Sequence, residues 1–209
     1  MTLALHDIAP GQTLPVRLAT GLFASTPVQT AFGWQSLSLL GPGDLVMTQD
    51  HGLVPVQSIV LETRRALWSV RIAVGALGNC DALMLPPGQP ILIHTRYARP
   101  FCGDDLALVP ATALEGWRAI APYVPVRREP ILQVQLVEPG ILFAGPGLMT
   151  GCDGTIRPGI DLASLLGAPI RPVLPLAAAR QMIAHLIADE AGDGLRHLQA
   201  AAFRPPNRS

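Results

Sequence analysis

Residues 21–56 read GLFASTPVQTAFGWQSLSLLGPGDLVMTQDHGLVPV, and the spacing inside this stretch decides the fold. Its apolar runs, Val28–Phe32, Leu45–Met47 and the start of Val54–Leu61, are each too short to make a helix. Between them stand Phe32-Gly33, Gly41-Pro42-Gly43-Asp44 and Asp50-His51-Gly52. Glycine reaches backbone angles other residues avoid, proline fixes φ, and an aspartate side chain bonds its own backbone, so such clusters reverse the chain. Short runs broken by reversals predict antiparallel strands joined by tight turns.

The same rhythm continues downstream. Trp68–Val74, Ile91–Ile93, Leu106–Val109, Ile131–Leu136 and Ile141–Phe143 are apolar runs, and Gly75–Asn79, Pro86-Pro87-Gly88, Gly103-Asp104 and Glu138-Pro139-Gly140 are the turns. Within Trp68-Ser69-Val70-Arg71-Ile72 and Ile131-Leu132-Gln133-Val134-Gln135-Leu136, apolar and polar residues alternate, the pattern of a strand with one face buried. Gly43-Asp44-Leu45-Val46 is echoed by Asp104-Asp105-Leu106-Ala107-Leu108-Val109-Pro110, as a fold of two related halves would show. The expected class is mainly β: a compact fold of many short antiparallel strands.

The two ends differ. Residues 1–15 are short and mixed and are expected to form an arm; 16–154 form the β domain; 155–209 form a Pro-rich linker and a helical extension. Pro158, Pro169, Pro172 and Pro175 crowd the linker, and Pro175 suits the first position of a helix. Leu176, Ala179, Ile183, Leu186 and Ile187 share one helical face, expected to pack on the β core, with a partner-binding face as the alternative. Gly192-Asp193-Gly194 is expected to end this helix and Leu195–Phe203 to form a second, stopped by Pro205.

Composition excludes several chemistries. The chain of 209 residues has 15 basic residues, all arginine, so a phosphate-loop lysine, a Schiff-base lysine and a lysine nucleophile cannot be built. Net charge is zero and no arginine run exceeds two residues, which predicts neither nucleic-acid binding nor a polybasic membrane anchor. Charged residues make up 14% against about 25% in ordinary domains, which fits either a surface that meets other protein chains or further copies of itself, or a small, well-closed β fold from a genome biased toward Arg, Ala, Gly and Pro. Cys80, Cys102 and Cys152 make no paired motif, and the opening MTLALHDIAPGQ lacks a basic stretch. No membrane span and no targeting segment are read, and the expected location is cytoplasmic.

Several blocks, in order, resemble bacterial members of the Hint (hedgehog/intein) family. They are Phe32-Gly33-Trp34-Gln35-Ser36-Leu37, Leu40-Gly41-Pro42-Gly43-Asp44-Leu45-Val46, Asp50-His51-Gly52, Val70–Gly78 (VRIAVGALG), Leu108-Val109-Pro110-Ala111 and Phe143-Ala144-Gly145-Pro146-Gly147. The resemblance runs from Val16 to Gly154. It implies a Hint-like β fold and a specific chemistry: a first-residue Cys attacks the preceding carbonyl to give a thioester. A Ser/Thr and a His in a later box polarise that amide and protonate its nitrogen.

Carried onto this chain, those positions fall on residues unable to do the work. The nucleophile position is Gly21, the Ser/Thr position Pro86 and the His position Gln89. Glycine has no nucleophile, and glutamine donates hydrogen bonds but shuttles no proton. His94, Ser25 and Cys152 are the residual candidates, with Thr26 and Cys102 as further hydroxyl and thiol groups. His51 reads as turn chemistry, and His6, His185 and His197 as solvated. Asp104-Asp105 lacks a ligand partner at useful spacing and Gly75–Gly78 lacks a phosphate-binding context, so no metal and no cofactor are expected. The resulting reading is a Hint-like protein that has lost autoprocessing and serves as a non-catalytic structural or interaction module. An active self-cleaving domain with a relocated nucleophile and an unrelated β-fold hydrolase are the alternatives.

Overall fold

The computed structural model describes residues 18–63, 66–125, 129–152 and 171–202. The arm 1–15, the 154/155 boundary, Pro158, Pro169 and Pro205 lie outside the described residues.

The strands are β1 Leu22–Phe23, β2 Pro27–Thr30, β3 Gly33–Ser36, β4 Leu45–Thr48, β5 Gly52–Leu61, β6 Ser69–Ile72 and β7 Leu83–Leu85. They continue as β8 Pro90–His94, β9 Leu106–Pro110, β10 Ala121–Tyr123, β11 Ile131–Leu136, β12 Gly140–Phe143 and β13 Met149–Cys152. One sheet runs β1-β11-β5-β4-β12-β13-β8-β9, with β2 pairing β4 and β3 pairing β2; a second has the order β10-β6-β7. The strand pairs of both sheets are antiparallel, so the chain is mainly β as its alternating runs predict. The strands absent from the apolar runs, β1, β3, β7, β10 and β13, are short or interrupted by Gly or Pro. Pro122 sits where a proline is tolerated, in β10 at the edge of its sheet.

The turns follow their side-chain chemistry. Asp44 accepts the Gly41 N–H at 2.8 Å, closing the Gly-Pro-Gly-Asp turn, and Thr48 accepts the His51 N–H at 3.2 Å. Asp50 accepts the Ile141 N–H at 2.8 Å, tying the Asp-His-Gly turn to β12.

The main core joins inward residues of the sheet (Val28, Val46, Val56, Ile91, Val109, Leu136 and Leu142) to the C-terminal helix. That helix is Leu176–Ala202, one continuous element. Gly192-Asp193-Gly194 does not end it, and 195–202 belong to this same helix rather than to a second one. Each glycine costs a helix about 1 kcal/mol relative to alanine, a weak penalty beside the Ala- and Leu-rich turns around it. The helix buries Ala179, Met182, Ile183 and Leu186 against β9, the helical turn Ala111–Leu114 and the turn Arg96–Ala98, so its apolar face meets the β core. Met182 takes the place expected of Ile187, which stays partly exposed.

Polar contacts fix the far side of the helix. Glu190 accepts from Trp117 Nε1 at 3.0 Å and Arg118 Nη2 at 2.6 Å. Asp189 accepts from Arg96 at 2.9 Å, and the His185 ring stacks on Tyr97. No helix among the described residues is long and apolar enough to cross a membrane.

Candidate functional site: the Gly21–Gln89 notch

Three segments converge at one end of the large sheet: the entry to β1, the turn before β8 and the end of β13. Leu22 pairs with Leu132 and Thr150 with Ile91. The backbone of Ala19–Gly21 is wedged between β11 and the Pro86–Gln89 turn. Gly88 donates its N–H to the Ala19 carbonyl at 2.9 Å. Neither glycine has room for a side chain. A Cβ on Gly88 would lie 2.7 Å from the Ala19 oxygen, and one on Gly21 would lie 2.7 Å from the Leu132 oxygen and 2.9 Å from Ile131 Cγ2. Gly21 also has φ +113°, a region L-residues avoid.

Gln89 ties the three segments together. Its Oε1 accepts the Gly21 N–H at 2.6 Å. Its Nε2 donates to Thr150 Oγ1 at 2.5 Å and to the Gly151 carbonyl at 3.0 Å. Thr150 Oγ1 in turn donates to the Pro90 carbonyl at 2.6 Å. An N–H meets only an acceptor and a carbonyl only a donor, so the network fixes which way the carboxamide points. Gln89 and Thr150 are both buried, where such bonds are costly to leave unmade.

Beside this clamp is a cavity of about 280 Å³ whose lining includes Thr20, Gly21, Gln89, Gln133, Cys152 and Val173. Gln133 Nε2 bridges Thr20 Oγ1 at 3.3 Å and Glu62 at 2.6 Å. Val173 arrives from the segment before the C-terminal helix. That segment runs parallel to β9: Leu174 donates its N–H to Leu108 O at 2.8 Å, and Arg171 pairs with Asp104 at 2.8 Å.

The structure thus brings together Gly21, Gln89 and Cys152, which lie far apart in sequence. Pro86 is buried in the adjoining turn, its carbonyl accepting the Gln89 N–H at 3.1 Å. His94 is exposed at the opposite end of β8 from Gln89 and does not line the notch. Ser25 is exposed, its N–H donating to the Glu129 carboxylate, and is also outside the notch. Thr26 is buried without lining it.

The remaining polar candidates are spoken for elsewhere. Asp105 holds Arg99 at 2.6 Å. The hydrogen bond from Arg171 to Asp104, helped by the Asp105 N–H, holds the Asp104 carboxyl below the usual carboxylate range. Burial pushes the Cys102 thiol up, away from thiolate. Among the described residues no three of His, Cys, Asp and Glu gather as a metal site. Thr150 and Gln133 escaped the sequence reading: Thr150 lies on a strand too short and Gly-interrupted to signal itself, and Gln133 looked like an ordinary outward strand residue.

A family model for the Hint domain matches residues 9–147, well over half the chain, and the chain belongs to that family. Among solved structures it is similar to a bacterial intein-like domain from Clostridium thermocellum, at 12% identity and TM-score 0.49, covering 65% of this chain and 99% of that one. It is similar also to the MchDnaB-1 intein, at 14% identity and TM-score 0.40, covering 63% and 99%. A third is the Msm DnaB1 intein splicing domain bound with zinc, at 18% identity and TM-score 0.37, again covering 63% and 99%. No curated protein matches the chain.

Proposed function

We propose that this chain is a Hint-family module that has lost autoprocessing and acts as a non-catalytic structural or protein-interaction module. The observation that carries the reading is the Gly21–Gln89 contact. In the Hint chemistry the nucleophile is the side chain of the residue that Gly21 replaces, and the proton donor to its amide nitrogen is the residue that Gln89 replaces. Here the first position has no side chain and no space for one. At the second, a carboxamide oxygen accepts from the Gly21 N–H, so it holds that amide in place and offers it no proton. An acid/base group is commonly worth ~10²–10⁴ in rate, and without a nucleophile there is no thioester route at all.

Cys152 supports a second reading, because it lines the same notch as Thr20 and Gly21. Intact-mass analysis of freshly expressed protein separates the two. The full-length mass, unchanged by added thiol, is expected. A fragment beginning near Gly21 or Ser25 that disappears in Cys152→Ala or Ser25→Ala would overturn the non-catalytic reading.

A further inference from the structure

Along β11, backbone bonding alternates between two sides. The Glu62 N–H meets the Ile131 carbonyl at 2.8 Å, so in the β5 register Ile131, Gln133 and Gln135 bond β5 and the residues between them face away. The bond from the Ala24 N–H to the Pro130 carbonyl, at 3.0 Å, sets the phase on the other side: Pro130 and Leu132 bond β1 and its continuation. The next residue of that series is Val134. In the β1 register it falls opposite Thr20, two residues before Leu22.

The chain leaves the ladder before reaching it. Gly21 turns at φ +113°, its N–H goes to Gln89 Oε1, and the Ala19 carbonyl goes to the Gly88 N–H. Among the described residues no backbone hydrogen bond reaches Val134 from this side. Val134 is nevertheless only 6% exposed, and it lines the notch. Its N–H and C=O thus face a cavity, neither a strand nor open solvent. Backbone groups so deeply placed are almost always paired.

The chemistry on offer is narrow. One donor and one acceptor stand on the same residue, the pair that a single residue of an antiparallel strand satisfies. None of the residues lining the cavity is charged, so a carboxylate or an ammonium would lose its water there with nothing to neutralise it. The volume of about 280 Å³ lies at the small end of ligand pockets, which begin at roughly 300 Å³. It suits one residue of an extended chain with its flanking amides.

We propose that the notch is a one-residue strand-addition site: an extended peptide segment of another chain, bearing an uncharged side chain, pairs antiparallel with Val134 where β1 stops. The inference deepens the interaction-module reading of this site and rests on it. The same Gln89 and Gly88 bonds that hold Ala19–Gly21 on the 86–89 turn keep the Val134 position open.

The probe is N-acetyl-valine N-methylamide, one uncharged residue between two amides. Hydrogen exchange of the full chain, read by nuclear magnetic resonance, is expected to show protected Gln133 and Gln135 amides with a fast Val134 amide between them. Millimolar probe is expected to shift the Val134 amide saturably and to slow its exchange. N-acetyl-valine, which carries a carboxylate, is expected to do neither. Val173 stands at the rim, 43% exposed. Val173→Trp, which fills the cavity from there, is expected to abolish the response while Gln133 and Gln135 stay protected. A Val134 amide as protected as its neighbours without probe overturns the proposal, since the chain itself then satisfies it. So does a probe that gives no saturable shift, that is matched by N-acetyl-valine, or that binds Val173→Trp as it binds wild type. Cleavage is read separately by mass: an uncleaved chain that ignores the probe refutes strand addition alone, and a self-cleaving chain that binds it refutes the non-catalytic reading alone.

Discussion

Gln89 satisfies the Gly21 N–H, the Thr150 hydroxyl and the Gly151 carbonyl from one buried carboxamide, so its removal leaves several polar groups without partners at once. Each unpaired buried group costs about 1–3 kcal/mol. Gln89→Ala is accordingly expected to lower the urea midpoint by an amount worth at least about 2 kcal/mol, read by equilibrium unfolding at unchanged slope. Gly21→Ala meets two penalties, the positive φ and a Cβ 2.7 Å from the Leu132 oxygen. A disfavoured backbone region costs of order 1–3 kcal/mol and overpacking about as much again. Gly21→Cys is expected to be destabilised to the same degree and to show only the full-length mass, since a thiol added there cannot be seated without moving β11. A Gly21→Cys chain as stable as wild type would contradict this. The importance of both positions was legible from residues 21–56 and 86–89, because a resemblance fixes register. Their mutual hydrogen bond was not: it depends on a fold that brings residue 21 to residue 89, and no local pattern encodes that distance.

At the scale of elements, the C-terminal helix shows what periodicity reads and what it misses. Its start and apolar face follow from 3.6-residue spacing, whereas its length does not, because glycine is only a weak helix breaker and Gly192 and Gly194 do not stop it. Nor did spacing reveal the polar clasp, since Trp117, Arg118 and Glu190 are remote in sequence. Burial raises the Glu190 pKa, but the hydrogen bonds from Arg118 and Trp117 outweigh it and bring it below the usual value. A carboxyl whose folded pKa is depressed stabilises the fold above its unfolded pKa of about 4.3, and that contribution is lost as pH falls through the lower folded value. Glu190→Gln is therefore expected to be less stable than wild type at pH 7 and to approach it below about pH 4. Thermal melts of the two proteins across that range test the sign; a gap that widens on acidification would contradict the clasp. On the buried face, Met182→Ala is expected to cost about 2–5 kcal/mol, because Met182 is fully enclosed between the helix and the sheet.

For the molecule as a whole, the sequence divides the chain at 154/155, yet the described contacts bind the two sides closely. The clean alternation of β6 and β11 and the turn clusters made the mainly β class legible. The cover over β9 was less so, because Leu174 and the helix bury residues whose strand signal is complete without them. Leu174, Met182, Ile183 and Leu186 all belong to the main core. At about 1.5–3 kcal/mol for each large side chain withdrawn from water, they contribute an amount comparable with the ~5–15 kcal/mol net stability of an ordinary domain. Arg171 and Leu174 add hydrogen bonds along β9, whose outer edge pairs with no further strand among the described residues. A chain ending at residue 170 is thus expected to lose more than the helix. It should show weakened near-ultraviolet circular dichroism, bind a hydrophobic dye and be cut by protease inside the β region, while the full chain unfolds in one transition that far- and near-ultraviolet signals share. A truncated chain that keeps a cooperative transition near the full-length midpoint would instead make the β region self-sufficient and the helix an appendage.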